Sequence, residues 1–137
     1  MTPSIDSLVI DTHILIWYLL DPSRLSRPAH AALAKAESVF APVYVSAITI
    51  VELRYLIEKG VMTEIGYQMM LAKFNDPKNV LEVATLDLVT ADQMSKIPRL
   101  TVPEMPDRII SATALTLGLP LVTADIKIRN LTNILII

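Results

Sequence analysis

The sequence predicts an α/β fold, a three-layer α/β/α sandwich in which helices cover both faces of a mainly parallel central sheet. Two observations lead to this prediction. Segments with strand character alternate with helical segments, and the strand segments are nearly all apolar rather than alternating in polarity. Continuous apolar strands are typical of a sheet that is buried on both faces. The length of 137 residues fits a single domain, 1–137, with one substantial core.

The first part of the chain is predicted to form a strand, a helix and a second strand. Residues 7–11 are a short apolar run that ends on an acid. The alanine content of residues 30–38 favours a helix. Residues 39–47 are β-branched and aromatic, with a proline near their start, and this composition is typical of a strand.

The middle of the chain is predicted to add two helices and a third strand. Ser46 is a suitable N-cap for a helix over residues 48–60, which ends on a glycine. Another helix follows over residues 63–75. The apolar residues 79–84 then form the third strand.

The last part of the chain is predicted to contain two helices and two strands. The first helix covers residues 85–97. Residues 106–118 begin with proline and end with glycine, which matches the usual residue preferences at helix ends. Strands are predicted over residues 119–125 and 133–137. Because ligands of such sheets bind beyond the carboxyl ends of the strands, we look for functional residues there.

The composition excludes several classes of protein. There are no cysteines, so disulfides, thiolate metal sites and thiol nucleophiles are ruled out. The longest apolar run, residues 14–20, is far shorter than the roughly 20 residues that span a bilayer. No basic segment precedes an apolar N-terminal stretch, so we expect no signal peptide and a cytoplasmic protein. The hydrophobic fraction of 53% is more than a small core needs, and this surplus predicts a homodimer.

Four acids are predicted to meet at the carboxyl edge of the sheet. Asp11 ends the first strand, and Asp125 lies just past the strand LPLVT, so parallel strands place both on one rim. Glu52 lies early in the helix after the second strand, and no cation lies three or four residues away to pair with it. Asp107 opens a helix that can return to the same rim. Taken singly, three of these acids have ordinary alternatives as helix caps or loop residues, and those alternatives stay open.

Acids that converge in this way need a cation or protons. Two carboxylates about 5 Å apart repel by roughly 3 kcal/mol at an effective dielectric near 20. Oxygen ligands without cysteine, and with only two histidines, favour Mg²⁺ or Mn²⁺ over zinc. Such an ion suits phosphodiester hydrolysis. The net charge of −2 means that a nucleic-acid substrate would have to be bound by local contacts or through the metal.

The motifs VIDTHILIW, SAITIVEL and MPDRIISATALTLGLPLVTADIKI, in this order, resemble the PIN-domain nucleases. More narrowly they resemble the VapC toxins of toxin–antitoxin pairs. The resemblance extends from Leu8 to about Arg129. It implies a metal-dependent ribonuclease that acts on RNA, forms a homodimer and is blocked by a cognate VapB-type antitoxin. Val51 stands where many relatives carry tryptophan, and the ending NILII also departs from the expected pattern.

The resemblance also implies roles for the four acids. Asp11 and Asp107 would be direct ligands of Mg²⁺, or of Mn²⁺ in its place. Glu52 and Asp125 would complete the coordination, orient water or hold a second ion.

Several other residues lie beside these acids in the sequence. The hydroxyls of Thr12 and Thr123 could hydrogen-bond a carboxylate or a bound water. Arg108 could support the site by contacting RNA phosphate or antitoxin, or it could pair with a nearby acid. The roles of His13 and Glu104 stay open. Lys127 and Arg129 could steer phosphate toward the acids, or could be solvated.

The sequence leaves two alternatives to a ribonuclease open. An acid-lined phosphatase would carry a second aspartate where this chain has His13. A PIN-like module without catalytic activity could bind RNA or only dimerise. Serine hydrolases and nucleotide-binding proteins are disfavoured because the sequence lacks G-x-S-x-G, G-x-G-x-x-G and P-loop motifs.

Overall fold

A computed structural model describes residues 2–137 and contains a four-stranded sheet in which every pairing is parallel. Along the sheet the strands follow the order β3-β2-β1-β4. Ile10 of β1 is opposite Val45 of β2 on one side and Val122 of β4 on the other, so these strands end at the same level. The strands are β1 (Leu8–Ile10), β2 (Val43–Ser46), β3 (Leu81–Ala84) and β4 (Leu121–Val122).

Helices cover both faces of the sheet, as the sequence predicts. Leu8 and Ile10 point into one apolar core, whereas Val9 between them points into the other, because side chains alternate along a strand. In residues 2–137 the helices are α1 (Thr12–Leu20), α2 (Arg27–Ser38), α3 (Ala47–Glu58), α4 (Glu64–Phe74), α5 (Leu88–Asp92), α6 (Met105–Leu117) and α7 (Ile126–Arg129). The first core packs against α1 to α4 and the second against α6 and α7. The three-layer α/β/α architecture is therefore confirmed.

The predicted helix ends are present in the structure. The Ser46 side chain accepts a hydrogen bond from the Ile48 amide at 3.3 Å and so caps α3. Gly60 and Gly118, which follow α3 and α6, have φ values of 75° and 67°. This left-handed conformation is one that glycine adopts without a steric penalty.

Several predicted elements are shorter than expected: the strands predicted over residues 39–47 and 119–125 are Val43–Ser46 and Leu121–Val122 in the structure. The last strand, predicted over residues 133–137, is reduced to a parallel bridge between Leu121 and Ile136, where three backbone hydrogen bonds join residues 135–137 to residues 121 and 123. The predicted helix over residues 85–97 is divided into α5 and a 3₁₀ segment, Gln93–Lys96. Among the described residues, no helix is both long enough and apolar enough to cross a membrane.

Candidate acidic active site

A cavity of about 480 Å³ opens at the carboxyl end of the sheet, and all four predicted acids line it. Asp11 follows β1, Asp125 follows β4, Glu52 belongs to α3 and Asp107 lies in the first turn of α6. The topology explains this convergence. Neighbouring parallel strands end at one edge, and α3 and α6 both present residues from their first half to that edge.

Asp11 is both a helix cap and a member of the cavity wall. Its Oδ1 accepts a hydrogen bond from the Ile14 amide at 2.9 Å, which caps α1. Its Oδ2 accepts a hydrogen bond from the Thr123 hydroxyl. Only 5% of the residue is exposed, and this burial raises the pKa of the Asp11 carboxyl despite the two hydrogen bonds. The side chain is therefore held in one orientation.

The Thr123 side chain connects Asp11 to the Asp125 backbone. Its Oγ1 donates to Asp11 and accepts a hydrogen bond from the Asp125 amide at 3.0 Å. The Asp125 carboxylate caps α7 through Oδ1, which accepts from the amides of Lys127 at 2.7 Å and Ile128 at 3.2 Å. The buried Thr123 hydroxyl thus fixes the positions of Asp11 and Asp125 relative to each other.

A second pair of hydroxyls orients Glu52. The Thr12 Oγ1 donates to Glu52 Oε1 at 2.5 Å and lies 3.0 Å from the Thr49 Oγ1. Because the only Thr12 hydroxyl proton goes to the carboxylate, Thr49 must be the donor in the second bond. Thr49 is fully buried and was not among the site residues predicted from the sequence. Its position three residues before Glu52 in a helix, which places the two side chains on the same face, is the signal that could have identified it.

Asp107 is the acid of the cavity whose pKa lies well above its ordinary value. Burial raises the pKa of its carboxyl to about 6, with further contributions from the negative charges of Asp125, Glu52, Asp11 and Glu104. Within residues 2–137, no lysine or arginine forms an ion pair with these side chains. The described part of the protein therefore provides no lysine or arginine partner for the negative charge of the cavity.

The Arg108 side chain, proposed from the sequence to support the site, points away from the acidic cavity. Its Nη2 donates to the backbone carbonyls of Met94 at 2.9 Å and Ile97 at 3.0 Å. It is not among the residues that line the acidic cavity. Its guanidinium instead joins α6 to the end of the 3₁₀ segment.

Glu104 and His13 are both part of the cavity wall. Glu104 precedes α6 without capping it, and its charge contributes to the raised pKa of Asp107. His13 is exposed, and its ring centroid lies 6.0 Å from that of Trp17 at an angle of 53°.

The chemistry of the wall fits a hard divalent cation. The four acids and the neighbouring threonines offer oxygen atoms, which Mg²⁺ and Mn²⁺ prefer. Among residues 2–137, no three histidine, aspartate or glutamate side chains stand in a ready-made metal arrangement. Mg²⁺ commonly uses only one or two carboxylates and keeps several waters, so the pair Asp11 and Asp107 is sufficient in number.

A comparison against protein families identifies the family to which this fold belongs. The family model described as the PIN domain matches residues 8–134, and the chain belongs to this family. Among curated proteins, the chain is 28% identical over 128 residues to Ribonuclease VapC22 of Mycobacterium tuberculosis. That match covers 90% of this chain and 91% of the relative.

Solved structures show the same fold at lower identity. VapBC2 from Rickettsia felis, bound to a DNA fragment from their promoter, matches with a TM-score of 0.71 and 18% identity. The match covers 95% of this chain and 96% of that chain. FitAB bound to the IR36 DNA fragment matches with a TM-score of 0.63 and 22% identity, over 95% and 93% of the two chains.

Proposed function

We propose that this protein is a metal-dependent endoribonuclease and the VapC-type toxin of a toxin–antitoxin pair. The observation that carries the proposal is the Asp107 carboxyl, which shares one cavity with four other acids, while no lysine or arginine among residues 2–137 forms an ion pair with them. The PIN family membership and the distant similarity to Ribonuclease VapC22 support the same reaction class.

Asp11 and Asp107 are the proposed ligands of Mg²⁺, or of Mn²⁺ in its place, with Glu52 and Asp125 completing the coordination or orienting water. Once bound, such an ion polarises a phosphoryl oxygen and lowers the pKa of the attacking water. The protein's part is to hold the carboxylates. Hydrogen bonds to metal-binding carboxylates fix their orientation, and the Thr123 bond to Asp11 has this form.

The Thr12 hydroxyl performs the same task for Glu52. It donates to Oε1, so the other carboxylate oxygen, Oε2, can face the cavity. Thr49 donates to Thr12 and keeps its proton directed at the carboxylate. The two threonines thus set the direction in which Glu52 accepts a proton or a water.

The proposed partners are RNA as substrate, a second copy of the chain and a VapB-type antitoxin. The VapBC2 relative from Rickettsia felis supports the antitoxin. Exposed apolar side chains on neighbouring helices support association with other chains, since large exposed apolar groups are unusual in isolated domains. On α3 and α4 these side chains are Val51, Tyr55, Ile65 and Met69.

RNA cleavage with Mg²⁺ or Mn²⁺, with and without EDTA, tests the proposal. We expect the wild type to cut single-stranded RNA only with metal, and Asp11→Asn to lose this activity. Asp92→Asn is the matched control, because Asp92 is exposed on α5 and lies outside the cavity. Cleavage that ignores EDTA and Asp11→Asn would contradict the metal mechanism, and metal-dependent hydrolysis of a phosphate monoester alone would indicate a phosphatase.

A further inference from the structure

A second groove of about 660 Å³ lies directly beside the acidic cavity. Trp17 and Ala124 line both spaces, so the two are adjacent on the surface. The second groove differs in charge from the first. Two arginines, Arg24 and Arg129, line it, and no aspartate or glutamate does.

Both arginines are held in place by neutral groups. The Arg24 guanidinium carbon lies 5.0 Å from the centroid of the Trp17 ring, within the range of a cation–π contact. The Arg129 Nη1 donates to the Thr123 carbonyl at 3.1 Å. Neither arginine forms an ion pair with a carboxylate in the part of the chain that the structure describes.

The hydrogen bond from Arg129 to Thr123 connects this groove to the acidic cavity. Thr123 accepts from Arg129 through its backbone and donates to Asp11 through its side chain. Because Thr123 contacts both side chains, it fixes the position of the Arg129 guanidinium, and of any group bound to it, relative to the Asp11 carboxylate. The second arginine of the groove, Arg24, lies near the N-terminus, in the 3₁₀ segment Pro22–Arg24 that follows α1.

We propose that this groove is a phosphate subsite for the RNA backbone, next to the bond that the acids cut. The inference rests on the proposed function. Guanidinium groups present several N–H donors in a plane that matches phosphate oxygens, and each arginine here retains donors that no described protein atom uses. A protein with a net charge of −2 and an acidic cavity needs local positive charge to hold a polyanion, and this groove supplies it.

Trp17 is a positioning residue in this scheme. Its ring supports the Arg24 guanidinium and forms the wall between the groove and the acids. It is also the only tryptophan in the chain, so its fluorescence reports on the groove and on the adjoining acidic cavity.

The binding of a labelled single-stranded RNA oligonucleotide in EDTA, measured at several salt concentrations, tests the subsite without cleavage. Each phosphate contact that is lost should reduce the slope of log affinity against log salt by about 0.7. We expect this reduction for Arg24→Gln and for Arg129→Gln, and none for Arg99→Gln. Arg99 is the matched control because it is an exposed arginine that lines neither space.

Two further readouts separate binding from structure. Arg129→Lys keeps the charge and should keep most of the salt slope, whereas a purely structural role would make the lysine and glutamine variants equally defective. The RNA should also change Trp17 fluorescence in the wild type. Unchanged slopes in folded Arg24→Gln and Arg129→Gln, or RNA binding without a change in Trp17 fluorescence, would overturn the inference.

The same experiment distinguishes other outcomes. An acidic peptide of equal charge that binds as tightly, with the same dependence on both arginines, would assign the groove to a protein partner and overturn the RNA subsite. Metal-dependent cleavage with unchanged slopes would contradict this inference alone. RNA binding in the groove without any cleavage would support the subsite and contradict the proposed ribonuclease.

Discussion

The Thr123 hydroxyl donates a hydrogen bond to the Asp11 carboxylate across the two neighbouring strands β4 and β1, although 112 residues separate them in the sequence. The same hydroxyl accepts from the Asp125 amide. One side chain therefore sets the relative positions of two acids at the carboxyl edge of the sheet, and this arrangement leads to a direct test.

Replacement of Thr123 by valine should impair activity more than folding. Valine preserves the shape of the side chain but removes both hydrogen bonds, and loss of such a partner commonly costs about 10–100-fold in metal affinity or activity. The free energy of unfolding should fall by about 1–3 kcal/mol. Cleavage kinetics and urea unfolding measure the two effects. Thr123→Ser retains the hydroxyl and should stay close to wild type, and equal losses in both variants would contradict this role.

The hydroxyl pair beside Glu52 predicts an ordered series. Thr12→Val removes the direct donor to Glu52 and should lower activity or Mn²⁺ affinity about 10–100-fold. Thr49→Val removes only the bond that directs the Thr12 proton, so its effect should be smaller. Titration of Mn²⁺ into each folded variant gives the comparison. A larger defect in Thr49→Val than in Thr12→Val would show that the hydrogen-bond direction inferred here is wrong.

The raised pKa of Asp107 predicts how stability depends on pH in the absence of metal. A carboxyl whose pKa is about 6 when folded and near its ordinary value of 3.8 when unfolded binds its proton more tightly in the folded state. Its contribution to stability is therefore complete at low pH and is lost as the pH rises through 6. In EDTA, Asp107→Asn should melt a few °C above the wild type at pH 7.5, and the difference should shrink by pH 5. A difference independent of pH would mean that Asp107 is not the group responsible.

Added metal should reverse this order. Mg²⁺ or Mn²⁺ that binds the folded protein raises its melting temperature, and the proposed ligand Asp107 strengthens that binding. The rise should be larger for the wild type than for Asp107→Asn, and the control Asp92→Asn should behave like the wild type. Thermal melts at increasing metal concentration measure it. If the wild type and Asp107→Asn shift equally, Asp107 is only a helix-terminal acid.

Arg108 should matter for stability rather than for the reaction. Arg108→Met keeps an apolar stem but removes the bonds to the Met94 and Ile97 carbonyls. The Met94 carbonyl keeps its bond from the Ile97 amide, whereas the Ile97 carbonyl loses its donor, and this should cost about 1–3 kcal/mol in the free energy of unfolding. The KM for RNA in the folded variant should remain within about twofold of wild type. A large rise in KM with unchanged stability would restore the supporting role that the sequence suggested.

The sequence by itself determined the architecture of this protein. The apolar strands at 7–11, 39–47 and 79–84 predict a buried parallel sheet, and Ser46 and Gly118 mark helix ends that the structure contains. These features depend on residues close together in the chain, where polarity patterns and cap preferences act. The positions of the acids at strand and helix ends also follow from local order combined with the rule for parallel sheets, and the structure brings them to one cavity.

Only the tertiary structure decided which groups the side chains meet. Arg108 follows Asp107 directly, yet its guanidinium turns toward the 3₁₀ segment, because two carbonyls there are within reach of it. Thr49 contacts the acids through Thr12, and the C-terminal residues 135–137 bond to the β4 region through a short parallel bridge instead of a full strand. The physical reason is the same in each case: these bonds join segments far apart in the chain, and their distances and directions exist only once the helices have packed on the sheet.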